Sequence, residues 1–143
     1  MWMKIISDST HIHQKIEQLI NDLDTIPVDY RNIGLLSGET GRALFYAYYG
    51  KYATNENYIE KANTILSGIV ETVNSQQNLN ALFSNGITGV LWTIRHLAAN
   101  NFIDCDFKES FGELNNYLGR QMMLMLDGGN YDFLHGSLGI ANH

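Results

Sequence analysis

The chain has 143 residues, 45% of them apolar, a formal net charge of −6 and a single cysteine, Cys105. This excludes a disulfide framework, and a disordered chain is excluded by the apolar content. The acidic balance and scattered Lys and Arg, with no basic run, argue against nucleic acid as a partner. A single domain spanning residues 1–143 is the expectation for this length.

The N-terminal "MWMKIISDSTHIHQ" has neither a long apolar core nor a small-residue cleavage site, and no stretch has the length of a membrane span. A cytoplasmic protein is expected. His11 and His13 stand where a helix begins and have no ligand partner at useful spacing, so a surface or capping role is expected. Ile12, Ile16, Leu19 and Leu23 recur at helical steps before Pro27, which punctuates the chain. "ALFYAYY", residues 43–49, is apolar nearly all round and reads as a helix buried on every side. Tyr58, Ala62, Ile65, Leu66, Ile69, Val70 and Val73 recur every three or four residues, giving a helix with one buried stripe. "NSQQNLN", residues 74–80, is a loop. "VLW" at 90–92 with Ile94, Leu97, Ala98 and Ala99 is a second nearly all-apolar helix, on which Arg95 and His96 mark a polar face. Phe107, Phe111, Leu114, Leu118, Met122 and Met125 give a further one-faced helix, with "MMLML" filling gaps in the core. No segment alternates with period two, so the chain reads as all-α.

Three stretches stand in phase: "LSGETGRAL" from Leu36, "SNGITGVLW" from Ser84 and "LHGSLGIAN" from Leu134. Each carries Gly-x-x-Gly, and the first glycines, Gly38, Gly86 and Gly136, are 48 and 50 residues apart. A period near fifty in a helical chain is the mark of stacked helical hairpins. Outer one-faced helices alternate with inner helices introduced by the glycine pairs. Glycine costs on the order of 1 kcal/mol against alanine inside a helix. Two of them three apart clear one face for a neighbouring helix, and the free N–H groups at that end attract negative charge. Chemistry is expected in the rim loops that lead into the inner helices.

In those loops, Gly34, Leu82 and Asp132 occupy the same place, four residues before the first glycine. Three unrelated residues there mean that the repeat does not require the acid. Asp132 is the leading catalytic candidate, for proton transfer or for holding a base; the competing role is a capping acid. His135 occupies the slot of Ser37 and Asn85. It is a second candidate, as general acid or base, against a polar cap.

"GLLSGETGRALFYAYY", "LFSNGITGVLWTI" and "YDFLHGSLGI" resemble the repeat motifs of lanthionine synthetase C-like proteins, the lantibiotic cyclases, over essentially everything beyond about residue 30. The resemblance implies an α/α toroid of seven helical pairs, of which this chain supplies about three. It implies zinc-dependent thioether ring formation in a ribosomal precursor peptide, a cysteine thiolate adding to a dehydrated Ser or Thr. It also implies an acid on the catalytic rim at Asp132. The zinc ligands of the family, two cysteines and a histidine, belong to later repeats, and Cys105 in "DCD" matches none of their motifs. The expectation is therefore an N-terminal piece of such a protein, without a zinc site of its own, forming a homodimer through its unfinished edges. The rival readings are a non-catalytic peptide-binding repeat module and another toroid enzyme such as a glycoside hydrolase, which would need two carboxylates across a cleft.

Overall fold

The computed structural model describes residues 2–76, 79–105 and 107–143, the side chains of 2–9 and 107–109 excepted. Six helices run in order: α1 (Trp2–Thr25), α2 (Glu39–Ala53), α3 (Glu56–Ser75), α4 (Ile87–Ala99), α5 (Phe107–Asp127) and α6 (Ser137–Ala141). The described residues contain no strand. The fold is all-α, three outer–inner helix pairs of an α/α toroid, with α2, α4 and α6 as the inner helices. None of the helices is long and apolar enough to cross a membrane, among the described residues.

The stripe of α3 is as its spacing predicts: Ala62, Ile65, Leu66, Ile69 and Val73 are all buried. They join Val90, Leu91, Ile94 and Leu97 of α4 and Ala43, Tyr46 and Ala47 of α2 in one core. On α5, Phe111 and Leu118 are buried, and Leu114, Met122 and Met125 pack against the core, whereas Met123 and Leu124 are exposed. Three expectations are corrected. Helix α2 is not buried all round: Tyr48 and Tyr52 are exposed, and tyrosine hydroxyls account for this by needing a wet or polar end. Helix α1 buries Ile20 rather than Leu19 or Ile12, both of which are exposed. His11 and His13 lie well inside α1, not at its start; His13 Nδ1 is 2.7 Å from the Tyr52 hydroxyl.

The glycine pairs do something more local than admitting a neighbouring helix. The first glycine of each is the N-cap, and the residue after it donates its N–H to a loop asparagine carbonyl: Glu39 to Asn32 (2.9 Å), Ile87 to Asn80 (2.7 Å) and Ser137 to Asn130 (3.1 Å). These N–H groups, expected to be free for anions, are thus spent on the loop. At the second glycine of each pair, a Cβ would run into a main-chain oxygen of its own loop, that of Leu35, Phe83 or Phe133. At Gly89 and Gly139 it would also meet the loop before it. The Cβ of Leu35 lies 2.8 Å from that position at Gly89, and the Cβ of Phe83 lies 2.8 Å from it at Gly139. Successive loops are tied as well: Leu36 N–H donates to Ser84 O (2.9 Å), and Ser84 N–H to Leu134 O (3.1 Å).

The first repeat is locked by a polar network. Arg42 donates to the Leu23 and Ile26 carbonyls, both at 2.8 Å, capping the end of α1. It also pairs with buried Glu39 at 3.5 Å. The Tyr46 hydroxyl and Lys61 Nζ both donate to Asp24 Oδ1 at 2.8 Å, so α1, α2 and α3 meet at one carboxylate.

Two predictions follow from this packing. Gly89→Ala is expected to lower stability by about 1–3 kcal/mol, the cost of forcing an atom into filled space. Gly119→Ala, where a Cβ on α5 would meet nothing within 4 Å, is expected to raise it by about 0.5–1 kcal/mol. Urea unfolding of the two variants checks the contrast. For acid stability, burial would raise the Asp24 carboxyl, but the hydrogen bonds from Lys61 and Tyr46 and the charges of Lys61 and Arg42 hold it below the usual carboxylate range. A depressed folded pKa contributes stability above the unfolded value, near 4, and that contribution is lost as pH falls through the lower folded value. The urea midpoint should fall more steeply below about pH 4 in the native chain than in Asp24→Asn.

Candidate functional site

The third rim loop, residues 130–136, presents both candidate residues. Its shape comes from Asn130, whose side-chain amide donates to His135 O (2.9 Å) while its Oδ1 accepts the Asp132 N–H (3.2 Å). Asn32 and Asn80 act alike in the other two loops: Asn32 Nδ2 donates to Ser37 O at 2.7 Å, and Asn80 Oδ1 accepts the Leu82 N–H at 3.0 Å. These asparagines escaped the sequence reading, although they stand 48 and 50 residues apart, the same intervals as the glycines.

Asp132 and His135 are brought together. Asp132 Oδ1 accepts the His135 backbone N–H at 2.6 Å and lies 3.4 Å from its Nδ1. One carboxylate oxygen thus meets both the backbone N–H and the ring of His135, within the loop and short of the helix N-cap, Gly136. Both side chains are more than half exposed. The loop closes in the first and second repeats with Gly34 and Leu82 in the place of Asp132, so closure itself does not depend on the acid. Gly34 has its own reason: a Cβ there would come within 2.7 Å of Asn85 Cα in the neighbouring loop.

A line of rings leads from this loop along the inner helices. Phe133 meets Phe83 at 5.1 Å between centroids, and Phe83 meets Trp92 edge-on at 5.9 Å. Trp92 stacks on His96 at 4.9 Å and 9°. His96 Nε2 is 2.7 Å from the Tyr48 hydroxyl, and Tyr48 packs at 4.8 Å on Phe102, over which Lys51 Nζ sits at 4.8 Å. Trp92, Arg95 and His96 form an open stripe on α4, which is buried elsewhere up to Leu97. The His96 ring is half-buried on that stripe. Arg95 is exposed and donates to His143 O at 2.6 Å.

The remaining candidates are placed apart from the rim. Cys105 is a half-buried free thiol between α4 and α5, lining a concavity of about 800 Å³ with Leu66, Val70, Ile94 and Phe111. Among the described residues, no three of His, Cys, Asp and Glu gather closely enough to hold a metal ion.

Residues 29–143 match the family model for lanthionine synthetase C-like protein. The chain belongs to the lanthionine synthetase C-like family. No curated protein and no solved structure matches it. The match takes in all three Gly-x-x-Gly loops, the inner helices and the Asp132–His135 pair of this lanthionine synthetase C-like chain.

The lack of a ligand set among the described residues sets an expectation for zinc, since a catalytic zinc takes three protein ligands and an open position. Metal analysis of the purified, chelator-treated and zinc-reloaded protein should find well under one tightly held zinc per chain; a tight stoichiometric zinc would place a ligand set on these repeats.

Proposed function

We propose that the protein takes part in zinc-dependent thioether ring formation in a ribosomal precursor peptide, the lantibiotic chemistry, and that its three repeats contribute an acid–base pair and a wall for the peptide. Family membership supports the reaction class, and the observation that carries the local role is the Asp132–His135 contact on the open rim. In the ring-forming step the substrate sulfur bonds to the β-carbon of a dehydrated residue. The π pair moves toward the adjoining carbonyl, and a proton is delivered to the α-carbon. A histidine oriented by a carboxylate suits proton delivery near neutral pH. Zinc, where held, would stabilise the substrate cysteine as its thiolate; the described residues offer no ligand set for it, and the role proposed for these repeats is proton transfer and peptide holding.

The open stripe of Tyr48, Trp92 and His96 suits a peptide, because aromatic faces with polar edges bind side chains and main chain alike. The same stripe supports the second reading, a non-catalytic peptide-binding repeat, in which Asp132 is only a cap.

Cyclisation of a dehydrated precursor peptide, assayed with these repeats in a complete, zinc-loaded protein of the family, separates them. Asp132→Asn should lower turnover by about 10²-fold or more while shifting stability by less than about 0.5 kcal/mol, as for an exposed position. A variant that loses helicity and keeps its turnover makes Asp132 a cap. If the native protein cyclises nothing yet binds the peptide, and Trp92→Ala abolishes that binding, the non-catalytic reading holds instead.

A further inference from the structure

Arg31, Arg42 and Lys61 each meet a carboxylate, at 2.8, 3.5 and 2.8 Å. Lys51, in the last turn of α2, meets none among the described residues. Its side chain is exposed, and its Nζ lies 4.8 Å from the centre of the Phe102 ring. Tyr48 packs on that same ring and shares a hydrogen bond with His96, which stacks on Trp92. An unpaired ammonium group thus stands at the end of the aromatic stripe, held there by one of its rings. The stripe is built where the first and second repeats meet, from α2, α4 and the turn after α4. Asp104, two residues beyond Phe102, is exposed and forms no ion pair with Lys51.

An aromatic face by itself attracts cations. Here Lys51 already occupies the Phe102 face, and a second cation beside it would meet like charge. A carboxylate instead gains the ammonium directly, and an apolar side chain next to it gains the Tyr48 and Trp92 rings. The chain carries a net charge of −6 and repels an acidic peptide at long range. That repulsion fades over about 8 Å at physiological salt, whereas the contact at Lys51 acts at ion-pair distance, so the local charge decides.

We infer that Lys51 determines the specificity of the stripe, selecting a peptide segment in which an aspartate or glutamate adjoins an apolar or aromatic residue. The carboxylate meets the Lys51 ammonium, and the apolar side chain lies on Tyr48 and Trp92. The inference rests on the peptide-holding role proposed above for this stripe and adds the charge of the segment held. An exposed ion pair contributes little and is screened by salt, so the preference it confers is several-fold and not larger.

Titration calorimetry with three synthetic decapeptides tests this. They share one sequence of glycine, alanine and phenylalanine and carry aspartate, asparagine or lysine at the same positions. In about 0.15 M salt the native chain is expected to bind the aspartate peptide about three- to fivefold more tightly than the asparagine peptide, and the lysine peptide least. Lys51→Gln should make the aspartate and asparagine peptides equal, and Lys51→Glu should place the lysine peptide first, both with native helicity. Trp92→Ala, or Tyr48→Ala if that variant unfolds, should weaken all three alike. Aspartate and asparagine peptides bound equally by the native chain, or an order that Lys51→Glu leaves unchanged, overturns the inference; if Trp92→Ala still abolishes binding, the stripe remains a peptide site. Binding of none of the peptides, or binding indifferent to both aromatic variants, overturns the stripe as a peptide site and this inference with it.

Discussion

The space that a β-carbon would occupy at Gly89 is already taken, on one side by the Phe83 carbonyl of its own loop and on the other by Leu35 of the loop before. Everything regular about the repeat depends on that vacancy. The loop can fold back onto the first turn of the inner helix only because no side chain stands there. Folded back, it places its asparagine carbonyl on the first helical N–H and Leu35 or Phe83 against the following repeat. Helix termini leave N–H groups that need partners; here the loop is the partner, which makes each inner helix and its rim loop one rigid unit. Single backbone bonds, Leu36 to Ser84 and Ser84 to Leu134, then tie successive loops, beside the core that α2, α3 and α4 share.

Much of this could be read from the residues. The three-and-four-residue steps of α3 and the 48- and 50-residue spacing of the glycines predicted the helices and their pairing. What the glycines are for could not be read, because spacing shows that a face is bare and not what comes against it. The α2 helix misled for a related reason. Tyr48 and Tyr46 count alike as aromatic, yet Tyr46 is buried with its hydroxyl on Asp24, and Tyr48 stands open with its hydroxyl on His96. Only the packing of α3 and α4 decides which of the two turns inward. In α1, the choice of Ile20 over Leu19 as the buried residue is one step of rotation, beyond what a short stripe of four apolar residues can fix.

The site was legible in part. Asp132 stood out as the residue that breaks the pattern, with Gly34 and Leu82 in its place, and His135 proved to be its neighbour. The ring line was hidden because it is assembled from two helices and two loops. One signal for it was present: Tyr48 and His96 are 48 residues apart and so hold the same position in successive repeats. Positions that repeat in place while changing in chemistry mark a surface that the fold does not need.

That separation explains how such a rim can carry chemistry. The loop is closed by Asn130 and the glycines, which hold backbone groups, and in no repeat is the residue four places before the first glycine needed for closure. An exposed carboxylate at that place keeps most of its hydration, so it brings little of the desolvation cost that a buried charge carries. Its hydrogen bond to the His135 N–H holds the backbone from which the imidazole springs, and Nδ1 lies 3.4 Å from the same oxygen. In the proton-delivering role proposed for His135, Nε2 would be the atom that reaches the substrate. A loop held rigid by groups that do no chemistry thus presents, at small cost to the fold, one ring nitrogen in a defined place beside a wall of aromatic side chains.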